Sequence, residues 1–243
     1  MLISDLTLYA RLSSAAYLTD SKDAVEALGF KFVAQLSDNP QRKCTLVTRD
    51  SLFVVCFQGT DLSSNAPNFH EFWDDVDGGT VTLPGVGKAS VGFWSPLAAI
   101  WPAIQSRIPA DAQVLLTGHS LGGVTAQLAK ALCPSATVIS YGAPRGADKS
   151  FWASTYPNNS QPIRVVHEND FAPAWAPSLK EEWIQPGPML WLHDASLQIT
   201  TERPGMGMIS ILSPADRAAH SIDSAYIPAL AALNQTATVP QIP

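Results

Sequence analysis

Residues 118–122, of sequence GHSLG, constrain this 243-residue chain more than any other feature of its sequence. The segment has the form GxSxG. It follows the apolar run Val114–Thr117 and leads directly into the apolar run Leu121–Cys133. The first run predicts a strand and the second a helix, so Ser120 would lie at a sharp strand-to-helix turn. Such a turn exposes the serine hydroxyl and directs the free N–H groups of the helix toward a reacting carbonyl. We therefore predict that Ser120 is a nucleophile.

Apolar periodicity elsewhere predicts helices and strands that alternate along the chain. The predicted elements are an N-terminal amphipathic helix from Leu2 to Tyr17, a short helix from Ser21 to Gly29, a hairpin of Cys44–Thr48 with Leu52–Phe57, a helix over Phe93–Arg107 broken or kinked near Pro96 and Pro102, strands Thr137–Tyr141 and Ile163–His167, a hairpin at Met189–Thr200 and a final helix over Ile222–Leu233. Such alternation predicts an α/β fold with one largely parallel central sheet flanked by helices. Because the sequence contains no repeat and no linker-like segment, we expect one domain over residues 1–243.

The charge balance narrows the possible partners. Only 15% of the residues are charged and 46% are hydrophobic, and the formal net charge is −6. With no cluster of lysine and arginine, nucleic acid is not the expected partner. No apolar run reaches the ~18 residues of a transmembrane segment, and the first residues lack the pattern of a signal peptide. We expect a monomer that is cytoplasmic or exported without a signal peptide.

Cysteines and acidic residues give no sign of a metal or cofactor. The three cysteines show no CxxC pair and no zinc spacing, and each lies in or beside an apolar stretch. Buried, inert thiols are the favoured interpretation, with a Cys44–Cys56 bridge across the predicted hairpin as the alternative. The acidic residues Asp74, Asp75 and Asp77 lack the spacing of a calcium-binding loop, so we expect a solvated segment there.

A serine nucleophile needs a histidine to accept its proton, and three histidines follow Ser120. In folds that carry this elbow, the acid and then the base follow the serine along the chain. His220 lies in a loop before the predicted final helix, whereas His193 lies inside the hairpin sequence WLHD and His167 inside a predicted strand. We predict His220 as the base, with His193 as the alternative. The earlier histidines, His70 and His119, are interpreted as structural or surface residues.

The base in turn needs a carboxylate that fixes its tautomer. Asp170, in the sequence HENDFAP, follows the predicted strand Ile163–His167. Open α/β sheets place functional groups at the carboxyl ends of their strands, so we predict Asp170 as the acid. Asp148, in a polar loop, and Asp194, in the predicted hairpin, are weaker candidates.

An oxyanion formed during acyl transfer needs aimed hydrogen-bond donors. One is expected from the backbone N–H of Leu121, directly after the serine. The other must follow an earlier strand, and Leu52–Phe57 leads into Gln58-Gly59-Thr60. We therefore predict the Thr60 backbone N–H, together with its hydroxyl, as the second donor.

With these motifs in this order, the chain resembles the class 3 lipases, the fungal-lipase-like branch of the α/β-hydrolases. The shared motifs lie between about Leu6 and Tyr226 and read FQGT at 57–60, WDD at 73–75, GF at 92–93, GHSLGG at 118–123, YGAPR at 141–145 and VHEND at 166–170. The resemblance implies an α/β-hydrolase fold with Ser120, Asp170 and His220 as the triad, and Thr60 and Leu121 at the oxyanion hole. Two positions depart from the family pattern: Gln58 replaces the usual arginine, and Ser90 or Val91 replaces a histidine.

The resemblance also implies a lid over residues 61–78. Phe69, Phe72, Trp73 and Val76 share one face at helical spacing, so they predict either a helix that covers Ser120 or ordinary core. Phe69 is also a candidate substrate contact. Met206 and Met208 either line an acyl pocket, because methionine suits an adaptable binding wall, or belong to ordinary core, which is the favoured interpretation.

Taken together, these residues predict a serine carboxylic ester hydrolase that forms an acyl-enzyme, with no cofactor. Acylglycerols or shorter carboxyl esters are the expected substrates, and contact with a lipid interface would be transient. Phospholipase A, a feruloyl-type esterase, acyl transfer to an alcohol and a non-catalytic lipid-binding protein remain alternatives.

Overall fold

An eight-stranded mixed sheet forms the centre of the protein. The structure is a computed structural model that describes residues 1–39, 42–60, 79–158, 160–177, 182–201 and 218–241. The strands are β1 (Lys31–Asn39), β2 (Arg42–Arg49), β3 (Leu52–Phe57), β4 (Thr80–Leu83), β5 (Gly87–Ser90), β6 (Gln113–His119), β7 (Thr137–Tyr141), β8 (Ile163–His167), β9 (Met189–His193) and β10 (Ser196–Thr200). The central sheet has the order β1-β2-β3-β6-β7-β8-β9-β10, and β4 pairs with β5 in a separate hairpin.

The middle of this sheet is parallel and its two ends are antiparallel. Strands β3, β6, β7, β8 and β9 run in one direction, each hydrogen-bonded to the next. Strand β2 runs antiparallel to β1 and β3, and β10 runs antiparallel to β9. The sequence-based prediction of a largely parallel α/β sheet is confirmed.

Helices cover both faces of the sheet. They are α1 (Ile3–Ala15), α2 (Lys22–Ala27), α3 (Val91–Gln105), α4 (Leu121–Ala129), α5 (Lys149–Thr155), a 3₁₀ turn (Ala172–Ala174), a π-helical turn (Ile222–Tyr226) and α6 (Ile227–Ala232). Buried side chains of α3, α4 and α5 pack on one face, and those of α1, α2, the π turn and α6 pack on the other. Side chains alternate along the strands, so Val114 and Leu116 of β6 join the first cluster and Leu115 joins the second.

Several elements differ from the prediction, among them β4, β5 and α5, which were not expected. Strand β1 was not expected, because its mixed sequence KFVAQLSDN lies half-exposed at the sheet edge and lacks strict alternation. Helix α3 is uninterrupted although it contains Pro96 and Pro102. Its buried apolar side chains pack against the sheet, and this packing outweighs the backbone donors that the prolines remove. The predicted final helix begins instead as the π turn.

The cysteines are free thiols. Cys44 and Cys56 belong to clusters on opposite faces of the sheet, so the alternative of a bridge between them is wrong. Of the helices described, none is long and apolar enough to cross a bilayer.

Candidate active site

Ser120 lies at the turn between β6 and α4 in a strained backbone conformation. Its φ is 57° and its ψ is −126°, a region that residues with a side chain rarely occupy. The Ser120 N–H donates to the Tyr141 carbonyl of neighbouring β7 at 2.9 Å. A Cβ on Gly122 would lie 2.1 Å from the Phe57 carbonyl oxygen, so only glycine lets the start of α4 approach the end of β3 this closely. The local sequence thus folds into the expected elbow.

The structure brings Ser120, His220 and Asp170 into one hydrogen-bonded chain. His220 Nε2 lies 2.8 Å from Ser120 Oγ, and His220 Nδ1 lies 2.9 and 3.0 Å from the two Asp170 carboxylate oxygens. An ionised carboxylate can only accept, so Nδ1 carries the proton and Nε2 accepts from the serine hydroxyl. All three residues are buried, with exposed fractions of 2% for Ser120, 3% for His220 and 0% for Asp170.

Two further groups hold the Asp170 carboxylate. Asp170 lies three residues beyond the end of β8, at the carboxyl end of the parallel strands. The Ala172 N–H donates to Oδ1 at 2.9 Å, and the Tyr226 hydroxyl donates to Oδ2 at 2.5 Å. These two hydrogen bonds fix the position of the Asp170 carboxylate opposite the His220 imidazole.

The π turn explains how Tyr226 reaches the acid. The Tyr226 N–H bonds to the Ser221 carbonyl, five residues earlier, at 3.2 Å. This wide turn directly follows the loop that carries His220, and the tyrosine ring is fully buried. Sequence reasoning missed Tyr226; its signal was a tyrosine on the element that follows the predicted base.

The alternative base and acid residues make other contacts. His193 Nδ1 lies 2.6 Å from Glu168 Oε2, and its Nε2 lies 3.1 Å from Asp194 Oδ2. These three side chains are metal-ligand types, but both ring nitrogens of His193 already face a carboxylate. His167 Nδ1 lies 3.3 Å from the Ala219 carbonyl. Asp148 caps α5 by accepting from the Phe151 N–H at 2.7 Å.

The predicted oxyanion residues lie on either side of the elbow. Leu121 is the first residue of α4, where backbone N–H groups have no partner within the helix. Thr60 follows β3, and its buried Oγ1 has no hydrogen-bond partner within the described parts of the chain. The loop that carries Thr60 also contacts the elbow, because a Cβ on Gly59 would lie 2.5 Å from the His119 carbonyl oxygen.

Several predicted residues lie outside the described parts of the chain. They are the proposed lid at 61–78 with Phe69, Phe72, Trp73, Asp74, Asp75, Val76 and Asp77, and the two methionines Met206 and Met208.

A tyrosine–histidine pair beside the triad was also missed. His119 is buried rather than at the surface, and its Nε2 lies 2.6 Å from the His220 carbonyl oxygen. Its Nδ1 lies 2.8 Å from the Tyr17 hydroxyl. The sequence signal for His119 was its place beside the nucleophile, but Tyr17 lies 102 positions away and carries no motif.

Known proteins share the fold of this chain, and a known family matches its sequence. The family model described as Lipase (class 3) matches residues 54–180, more than half of the chain. The triacylglyceride lipase of Rhizomucor miehei is 21% identical, with 89% of this chain and 92% of that chain covered and a TM-score of 0.69. The lipase of Rhizopus microsporus var. chinensis is 22% identical, with coverages of 89% and 85% and a TM-score of 0.69. Lipase II of Rhizopus niveus is 21% identical, with coverages of 91% and 92% and a TM-score of 0.68.

At these identities the solved structures show the shared fold, the α/β-hydrolase fold of the fungal lipases. The family match carries the relationship further, because it runs from within β3 through the elbow at Ser120 to the segment that contains Asp170. The chain belongs to the class 3 lipase family.

Proposed function

We propose that the protein hydrolyses carboxylic esters of lipids through an acyl-enzyme on Ser120. The hydrogen-bond chain from Ser120 Oγ through His220 to Asp170 carries this proposal. As Ser120 Oγ attacks the ester carbonyl, its proton passes to His220 Nε2. The imidazolium that forms is stabilised by the Asp170 carboxylate, which remains ionised throughout. One similar solved structure is that of a triacylglycerol lipase whose catalytic centre is a serine protease triad.

The remaining steps return the enzyme to its starting state. The tetrahedral intermediate collapses as His220 gives its proton to the leaving alcohol, and the acyl group stays on Ser120. A water molecule then attacks the acyl carbonyl while His220 accepts its proton. The second tetrahedral intermediate releases the carboxylic acid and restores the Ser120 hydroxyl.

The Leu121 N–H and the N–H and hydroxyl of Thr60 would stabilise the oxyanion in both intermediates. Thr60 Oγ1 is buried and has no hydrogen-bond partner among the described residues, which supports this role, because a buried hydroxyl is costly unless a partner or ligand satisfies it. Removing one such donor typically costs about 100- to 1,000-fold in kcat. Thr60→Val keeps the size of the side chain and removes the hydroxyl, so it measures the contribution of that group separately from the backbone N–H.

Acylglycerols or shorter carboxyl esters are the proposed substrates. A partly open apolar cleft lies beside the elbow, with Phe57, Phe93 and Leu121 among its lining residues. Because Leu121 lines this cleft, it supports an apolar part of the ester next to the proposed oxyanion donor. We propose that the enzyme acts as a monomer. We also propose that its contact with lipid surfaces is transient, because a net charge of −6 gives no attraction to anionic membranes.

A fluorophosphonate probe tests the nucleophile directly. The probe is expected to label the wild-type protein at Ser120, and Ser120→Ala should remove both labelling and ester hydrolysis. Ser90→Ala, at a second buried serine with glycines nearby, is the matched control and should leave labelling intact. Absence of an adduct on Ser120 in the folded wild-type protein would overturn the proposed function. Hydrolysis rates measured on p-nitrophenyl esters of increasing acyl length, on tributyrin and on a phospholipid then show which substrate class the enzyme prefers.

A further inference from the structure

We propose that Tyr17 and His119 are positioning residues for the catalytic base: a hydrogen-bond chain of fixed direction from Tyr17 through His119 holds the backbone carbonyl of His220. The inference rests on the proposed function, because it gives His220 its role. Neither residue needs to touch the substrate, since both act on the backbone of the base rather than on its imidazole.

The contacts form a continuous chain. The Tyr17 hydroxyl lies 2.8 Å from His119 Nδ1, and His119 Nε2 lies 2.6 Å from the His220 carbonyl oxygen. His119 is 5% exposed, and its ring lies 4.6 Å from the His220 ring between centroids. His119 is also bonded covalently to Ser120, so one residue contacts both the nucleophile and the loop of the base.

The chemistry of the acceptor fixes the direction of the chain. A carbonyl oxygen can only accept, so His119 Nε2 must carry a proton and donate it. Burial, reinforced by the neighbouring His220, holds the pKa of His119 well below 6.5, so the ring is neutral. Its Nδ1 is therefore a bare acceptor, and the Tyr17 hydroxyl donates to it. His119 is thus the Nε2–H tautomer, whereas His220 is the Nδ1–H tautomer.

The hydrogen-bonded pair of Tyr17 and His119 contacts three parts of the site. Tyr17 lies just beyond α1, and the Ser14 hydroxyl of α1 donates to Asp223 of the π turn at 2.5 Å. A Cβ on Gly59 would lie 2.0 Å from the Tyr17 hydroxyl, so glycine in the oxyanion loop leaves the space that Tyr17 fills. The end of α1, the oxyanion loop and the base loop therefore meet at Tyr17 and His119.

A neutral His119 also suits the electrostatics of the reaction. His220 becomes positively charged when it accepts the serine proton, with the His119 ring 4.6 Å away. A second positive charge at that distance would oppose the transfer, because like charges disfavour each other's ionisation. The neutral tautomer supplies a donor to the carbonyl without this repulsion.

Three variants test the proposal in the full-length protein. His119→Leu keeps the bulk of the side chain and removes the donor, and we expect kcat to fall about 10- to 100-fold, as for a base displaced by up to about 1 Å. KM should change less than about 2-fold, because the substrate contacts are unaffected. His119→Gln, whose amide N–H can donate to the carbonyl, should restore most of the activity. Tyr17→Phe should cause a smaller loss of kcat, because the donor to the carbonyl remains.

A spectroscopic readout on the wild-type protein keeps the proposal testable if His119→Leu does not fold. Nitrogen-15 NMR of histidine-labelled protein distinguishes the two tautomers, with the His119 signals assigned by their loss in His119→Gln. We expect a neutral Nε2–H ring at pH 7. An Nδ1–H ring, or wild-type kcat in His119→Leu, would overturn the positioning role. Failure of the proposed function would appear differently, as a wild-type protein that neither hydrolyses esters nor takes the fluorophosphonate.

Discussion

Gly142→Ala is the substitution for which the structure gives the sharpest expectation. Gly142 directly follows β7 and has a φ of +55°. A Cβ built at this position would lie 2.4 Å from Asp170 Oδ2, 2.9 Å from the Tyr226 hydroxyl and 3.2 Å from His220 Nδ1. A single methyl group would therefore compete for space with the acid, its tyrosine partner and the base.

The size of the effect follows from these distances. Ordinary van der Waals contacts of a Cβ atom begin at 3.4 Å, which is 1.0 Å more than the 2.4 Å to Asp170 Oδ2. Either Asp170 Oδ2 or the Gly142 backbone must therefore shift by 1.0 Å. A displacement of about 1 Å in a catalytic group costs on the order of 100-fold in rate. The positive φ adds a separate stability cost of about 1–2 kcal/mol for any residue with a Cβ.

Gly29→Ala separates the two contributions. Gly29 has a φ of +81°, and a Cβ there meets no atom within 4 Å, so this variant carries the backbone strain without the collision. Kinetics on a soluble p-nitrophenyl ester and thermal melting would be measured for both variants. We expect similar losses of stability from the backbone term, and a kcat loss near 100-fold for Gly142→Ala alone. If Gly142→Ala kept kcat within about threefold of wild type while remaining folded, a displacement of the Asp170 carboxylate by about 1 Å would not control the rate, and the prediction would be wrong.

Three further outcomes are expected. Tyr226→Phe removes one hydrogen bond to the buried Asp170 carboxylate, and such a bond is worth about 2 kcal/mol. The melting temperature should therefore fall by roughly 4–8 °C. An unchanged melting temperature would contradict this prediction. Iodoacetamide should label only Cys133 in the native protein, since Cys44 and Cys56 are buried and burial raises the pKa of the Cys56 thiol; mass spectrometry before and after denaturation checks this. The pKa of buried His119 lies well below 6.5 in the folded state. As the pH falls below 6.5, the unfolded chain therefore binds a proton at this histidine that the folded chain does not bind. His119 should then lower the free energy of unfolding by up to about 1.4 kcal/mol per pH unit. Urea unfolding at pH 7 and pH 5.5 should therefore show that the free energy of unfolding falls less with falling pH in His119→Gln than in the wild-type protein.

The parts of the site that could be predicted from sequence are those with a local signature. Ser120 stands between an apolar strand and an apolar helix, so its neighbours in sequence are also the residues that shape its turn. Asp170 follows a strand that is buried in the parallel sheet, and its position at the strand end follows from topology alone. For both residues, the local hydrophobic pattern was enough to predict the strand end beside which each side chain lies.

The edges of the fold were harder to predict for a physical reason. Among the described strands, β1 pairs only with β2, and it is half-exposed, so it carries little of the alternation that marks a buried strand. Helix α3 contains two prolines that oppose helix formation locally, yet Phe93, Leu97 and Ile104 are buried against the sheet. In both elements tertiary contacts outweigh local preference, and these contacts cannot be read from the segment itself.

Tyr17 and Tyr226 show the same limit at the active site. Each places its hydroxyl within 2.8 Å of a polar atom in the site, and each comes from an element packed on the face of the sheet opposite α4. Their approach depends on how α1 and the π turn dock on that face, and Ser14 and Asp223 join these two elements directly. Ser120 and Asp170 thus follow strand ends, whereas the hydrogen bonds around Asp170 and His220 depend on how α1 and the π turn dock on the sheet. Substitutions that loosen the docking of α1 should therefore lower kcat before they alter the fold.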